Sequence, residues 1–236
     1  MITFDEQQRV FHLKNKEISY LFSIEEGNIL SHLYFGPAIR NYHGERRYPR
    51  VDRGFSGNLP GSMDRTYSKD DLLQEYSGNN TGDYRVPAII IKTEKGSRLT
   101  DFRYKSYKIL PGKPKLAGLP ASYVKSDKEA ETLEVTLVDE TIGAQLILSY
   151  TIYNERPVIT RNARLVNTSN QELRIEKIAS MQLDLTKHDY DVISVPGQYA
   201  LERQPERQEL RRGITEFSSR RNSSSHHMNP FVALVD

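Results

Sequence analysis

The sequence contains no cysteine and no tryptophan. Without cysteine there is no disulfide framework, no thiol nucleophile and no thiolate metal site. No apolar run approaches the length needed to cross a bilayer. The N-terminus, Met1-Ile2-Thr3-Phe4-Asp5-Glu6, lacks the basic-then-apolar order of a secretory leader, which sets a cytoplasmic expectation. An excess of one charge is missing too. Lys+Arg number 33 against 31 Asp+Glu, a formal net charge of +2, so no strong field recruits nucleic acid or an anionic membrane. None of the six histidines sits in a ligand spacing. His226 and His227 are adjacent and would face opposite sides of a strand, so neither a metal nor a cofactor is expected.

What the chain does have is two-residue alternation. Glu17 to Ile24 and Ile29 to Phe35 flank Glu25-Glu26-Gly27-Asn28, which reads as a hairpin. Leu133, Val135 and Leu137 alternate with Glu134 and Thr136. Leu146, Leu148, Tyr150 and Ile152 share one face of Ala144 to Tyr153. Ile159, Ala163 and Leu165 alternate with Thr160, Asn162 and Arg164, and the pattern continues through Leu173, Ile175, Met181, Leu183 and Leu185. Because successive strand side chains point to opposite faces, this suits sheets with one buried side. No segment holds a 3.6-residue apolar period for three turns; only Ser68 to Tyr76 suggests a short helix, with Ser68 as cap. The expected fold is all-β, a sandwich of mostly antiparallel strands with little helix, forming one domain over residues 1–236. The last residues, Phe231-Val232-Ala233-Leu234-Val235-Asp236, end inside an apolar strand-like run, which predicts a chain that continues.

Two stretches break the alternation. Leu110 to Pro120 is a loop rich in proline and glycine. Residues 40–88 are rich in Arg, Asp, Gly, Asn and Tyr, and an insert of that length is usually functional or strongly tied down. Gly54-Phe55-Ser56-Gly57-Asn58 lacks the final glycine of a nucleophile elbow. The carboxylates Asp52, Asp64, Asp70, Asp71, Glu75 and Asp83 could supply a glycosidase pair, but charged loops are more often solvated. Their mixture with Arg53, Arg65, Arg85, Tyr67, Tyr76 and Tyr84 suits polyol recognition, by charged forks on hydroxyls and aromatic faces on sugar C–H surfaces. The arginines from Arg203 to Arg221 are interleaved with glutamates, the pattern of a solvated surface.

Three segments carry a resemblance. Asp52-Arg53-Gly54-Phe55-Ser56, then Leu73-Gln74-Glu75-Tyr76 with Thr81-Gly82-Asp83-Tyr84-Arg85-Val86-Pro87-Ala88, and finally Ser219 to Phe231 are similar, in order, to the N-terminal region of bacterial α-galactosidases of glycoside hydrolase family 36. Asn222 stands where that family usually has glycine, and His227 where it has glutamine. The resemblance, from about His32 onward, implies an N-terminal β-supersandwich that precedes a catalytic (β/α)₈ barrel and a C-terminal β-domain. It implies an enzyme acting on α-galactosides such as melibiose and raffinose, with the two catalytic aspartates on the barrel and none on this chain. It implies homo-oligomers in which a loop of this domain reaches a neighbouring active site. Asp52 matches the aspartate of that loop, with Arg53, Phe55, Arg65 and Tyr67 as flanking substrate-binding candidates. An independent carbohydrate-binding module and a purely structural assembly domain are the competing readings.

Overall fold

The computed structural model describes all residues except 45–47, 49, 53, 55–56, 80–81, 119 and 222–226. Two compact units follow each other along the chain, Met1–Asp184 and Leu185–Asp236. In the first, β1 (Ile2–Asp5), β2 (Val10–Lys14), β3 (Ile18–Ile24) and β4 (Leu30–Pro37) form an antiparallel sheet in chain order. After the long irregular segment comes β5 (Ile89–Thr93). A second four-stranded antiparallel sheet follows, from β6 (Arg103–Pro111), β7 (Ala130–Asp139), β8 (Ala144–Tyr153) and β9 (Ile159–Asn167). The chain then returns as β10 (Leu173–Ile178) to pair with β5. In the second unit β11 (Asp191–Pro196) lies between β12 (Glu206–Glu209) and β13 (Met228–Val235). The all-β expectation holds, and the helical residues are single 3₁₀ turns.

The core of the first unit joins both four-stranded sheets. Phe11, Tyr20, Phe22 and Leu30 meet Leu133, Val135, Leu146, Leu148 and Tyr150, with Ile89 and Ile91 of β5 at their side. The Phe22 and Tyr150 rings stack at 5.0 Å, and Phe11 lies 4.9 Å from Phe22, so aromatic contact bridges the sheets. Each such side chain contributes about 1.5–3 kcal/mol by leaving water. In β7 and β8 the residues that alternate in sequence also alternate in burial. β2 escapes that signal because Val10, Phe11, His12 and Leu13 are all buried, which removes the periodicity.

Two local expectations need correction. Ser68 does cap, its hydroxyl accepting from the Asp70 amide at 3.3 Å, but the helix stops after the single turn Lys69–Asp71. Extended pairing with β4 takes over, His32 N donating to Leu73 O at 2.7 Å and Glu75 N to Leu30 O at 3.3 Å. Met181 to Leu185 is not a strand. Its polar groups serve other segments instead. Gln182 Oε1 accepts from Ser77 N, Asp184 Oδ2 from Gln74 N, and the Gln182 carbonyl from Arg161.

Candidate functional site

Among the described residues, specific side chains hold the long irregular segment at both ends. At its far end Glu75 is buried between the sheets. Tyr20 donates to its Oε1 at 2.6 Å, and His32 Nδ1 lies 3.4 Å from its Oε2. Arg161 of β9 also donates to the Tyr20 and Tyr150 hydroxyls, and its guanidinium stands 4.5 Å from the Tyr150 ring centroid. Burial alone would raise the Glu75 pKa, but Arg161, His32 and Tyr20 together bring it below the usual glutamate value. Asp83 accepts from Arg85 Nε at 2.6 Å, and Arg85 also pairs with Asp184 and donates to the Lys69 carbonyl. Buried Lys69 pairs with Asp101 at 3.0 Å. Of the carboxylates of this segment, Glu75 and Asp83 are held by cations of the fold and act as anchors.

Nearer the start of the segment, a small core of Ile29, Leu59, Tyr67 and Leu72, with Tyr48 packed against it, supports the chain. The Tyr48 hydroxyl donates to Glu25 Oε2 at 2.9 Å. Burial, then the Glu25 carboxylate, pushes its pKa up to about 12. Arg50 lies 4.5 Å from the Tyr67 ring centroid and bridges two acids, donating to Glu26 Oε2 at 3.0 Å and Asp64 Oδ2 at 3.1 Å. Thr66 closes a turn by donating from its amide and hydroxyl to Asp64 Oδ1 at 2.8 and 2.7 Å. Gly57 runs so close to Gly82 that a Cβ on Gly57 would lie 2.9 Å from the Gly82 Cα. That approach needs glycine.

Asp52 and Arg65 stand on this base. Arg65 Nη2 lies 3.1 Å from Asp52 Oδ1, and the two side chains are 55% and 58% exposed. An exposed pair adds about 0–1 kcal/mol to stability, so the fold does not depend on it. The guanidinium and the carboxylate carry more donors and acceptors than one contact uses. Tyr67, by contrast, is 1% exposed, and its hydroxyl donates to the Glu26 carbonyl at 3.2 Å; it supports the loop from below. Burial raises its pKa. Arg53 and Phe55 lie outside the described residues. Of the other aromatic candidates, Tyr76 is buried with its hydroxyl on Ala179 O, whereas Tyr84 is 79% exposed.

Two supporting residues went unread in the sequence. Arg161 occupies the inward register of β9 between Ile159 and Ala163, a charge at a core position, and that was the available signal. Arg50 offered none, because its partners Glu26, Asp64 and Tyr67 are brought together only by folding.

The first unit is an all-β sandwich of two four-stranded antiparallel sheets that carries a long irregular loop. The chain belongs to the glycosyl hydrolase family 36 N-terminal domain family, which it matches over residues 28–236. It is 51% identical over its whole length to alpha-galactosidase 1 of Pediococcus pentosaceus, of which it covers 32%. The crystal structure of the GH36 alpha-galactosidase AgaB from Geobacillus stearothermophilus superposes with a TM-score of 0.94 at 43% identity, covering all of this chain and 32% of that one. A variant of AgaA from the same organism, solved in complex with raffinose, superposes over 95% of this chain and 31% of its own with a TM-score of 0.91 at 45% identity. The chain thus spans about a third of the length of these relatives.

Proposed function

We propose that the chain is the non-catalytic N-terminal domain of a cytoplasmic α-galactosidase that releases terminal α-galactosyl residues from melibiose- and raffinose-type sugars. The observation that carries this reading is end-to-end similarity to alpha-galactosidases about three times as long. In a retaining glycosidase two carboxyl groups flank the scissile bond, and on this reading both belong to the barrel. The part assigned to this domain is a loop contribution. In a homo-oligomer, symmetry repeats one such contact at every active site. Asp52, with Arg65 beside it, is the group that accepts hydrogen bonds from sugar hydroxyls of the neighbouring site. Arg53 and Phe55 flank it, and Tyr67 holds the loop from beneath.

The test is Asp52→Ala in the catalytically competent enzyme, assayed on size-selected oligomers. Charge-assisted hydrogen bonds contribute about 1.5–3 kcal/mol, so kcat/KM is expected to fall roughly tenfold to a hundredfold. Parent-like kinetics in intact oligomers would reduce Asp52 to a partner of Arg65. Saturable binding of neutral galactosides to this chain in isolation would favour an independent sugar-binding module.

A further inference from the structure

At the other end of the second sheet, residues 113–117 and 120–122 lie against the face of β7, β8 and β9 opposite the core and border a half-open cavity of about 600 Å³. Volumes of this order suit small-molecule ligands. β6 separates this cavity from the Asp52 loop. Its first residue, Arg103, donates to the Gly27 carbonyl of the hairpin tip beneath that loop, and its ninth, Pro111, leads into the cavity wall. At about 3.3 Å per residue the two places are roughly 25–30 Å apart.

The cavity is built. Gly112 leaves β6 with a φ of +69°, where a Cβ would lie 2.4 Å from Asp127 Oδ1. Its carbonyl accepts from Thr132 Oγ1 at 2.8 Å, and Thr132 shares a 2.7 Å hydrogen bond with Thr151. The far end of the loop is held where the Tyr153 hydroxyl meets Ser122 Oγ at 3.0 Å. Between these pins the polar groups are left over. Among the described residues, Ser149, Thr160 and Asn162 on the floor have no side-chain hydrogen bond, and Lys113, Lys115 and Arg164 at the margin have no carboxylate partner. The lining carboxylate Glu134 has Lys108 Nζ 2.9 Å from its Oε2, but that buried oxygen accepts no hydrogen bond.

Uncommitted hydroxyl and amide groups bordered by uncommitted cations match a ligand that carries both hydroxyls and negative charge. We propose that this cavity binds a phosphorylated sugar, with Ser149, Thr160 and Asn162 on the hydroxyls and Lys113, Lys115 and Arg164 on the phosphate. The site is independent of the α-galactosidase reading, since none of its residues belongs to the Asp52 loop.

Isothermal titration of the protein with galactose 6-phosphate, galactose and inorganic phosphate tests it. Saturable binding of the sugar phosphate is expected with a dissociation constant of about 1 mM or below, tighter than for either fragment. Arg164→Glu, an exposed position, should weaken it roughly tenfold or more, and Asn162→Ala should weaken it as well. Asp52→Ala should leave it unchanged. Absence of saturation by about 10 mM, equal binding of inorganic phosphate alone, or indifference to both cavity substitutions would overturn the proposal.

Discussion

Arg161 Nη2 stands 2.7 Å from Glu75 Oε1, with 5% and 0% of the two side chains exposed. One belongs to a β-strand of the second sheet, the other to the end of the irregular segment. Their pairing fixes the segment against the sandwich. Breaking a buried pair from one side leaves a charge unpaired in a poorly solvated place. Glu75→Gln or Arg161→Met should each cost about 3–5 kcal/mol in urea denaturation. Replacing both by apolar residues should recover much of that loss. Single variants as stable as the parent would show that the pair does not anchor the segment.

Acid should weaken the fold in two stages. Burial, then the nearby Lys14 charge, lowers the His12 pKa from 6.5 to about 4. Between those values the unfolded chain binds the proton and the folded chain resists it, so stability falls as pH drops from 6.5 to 4. Glu75 acts at lower pH. Its folded pKa lies below 4.5, so its contribution is present above 4.5 and is lost as pH falls through the folded value. Urea midpoints measured against pH should therefore decline from near neutrality. His12→Gln, which keeps a partner for Ser19 Oγ, 2.9 Å from the ring in the parent, should flatten the first stage alone. An unchanged profile in that variant would remove His12 as its source.

Gly57→Ala tests the packing of the loop. The added Cβ meets backbone, the Gly82 Cα at 2.9 Å, which cannot move aside as a side-chain tip would. The expected loss is about 1–3 kcal/mol, with faster proteolysis between residues 50 and 66. Parent-like melting and proteolysis would contradict the close approach.

Asp52→Ala and Arg65→Ala should behave in the opposite way, each changing stability by less than about 1 kcal/mol because their pair is solvated. Thermal melts of the singles and the double variant measure this. A coupling energy well above 1 kcal/mol would make the pair a structural clamp.

The strands of the second sheet were legible because Leu133 to Leu137 and Leu146 to Ile152 alternate, and burial follows that alternation. β6 was not, since most of its residues are exposed. Met181 and Leu183 kept the alternation of a strand without becoming one. Their neighbours Gln182 and Asp184 are drawn to Ser77, Gln74 and Arg85, partners that no reading of the local sequence supplies. At the candidate site, Asp52 and Arg65 were named as separate candidates, and folding places them 3.1 Å apart. Tyr67 read the same way and is buried, because the composition of a loop does not say which of its aromatic residues faces inward.

By itself the sequence determined the β class, the hairpin of β3 and β4, the absence of thiol chemistry and the family-specific segments. All of these depend on residue identity and near-neighbour order, and strand periodicity repeats every two residues. Only the tertiary structure decided what the charges do. Glu75 and Arg161 are 86 positions apart, Lys69 and Asp101 are 32 apart and Arg85 and Asp184 are 99 apart. A carboxylate's role follows from the cation and the solvent it meets in space, and folding brings those together across distances that local pattern does not reach.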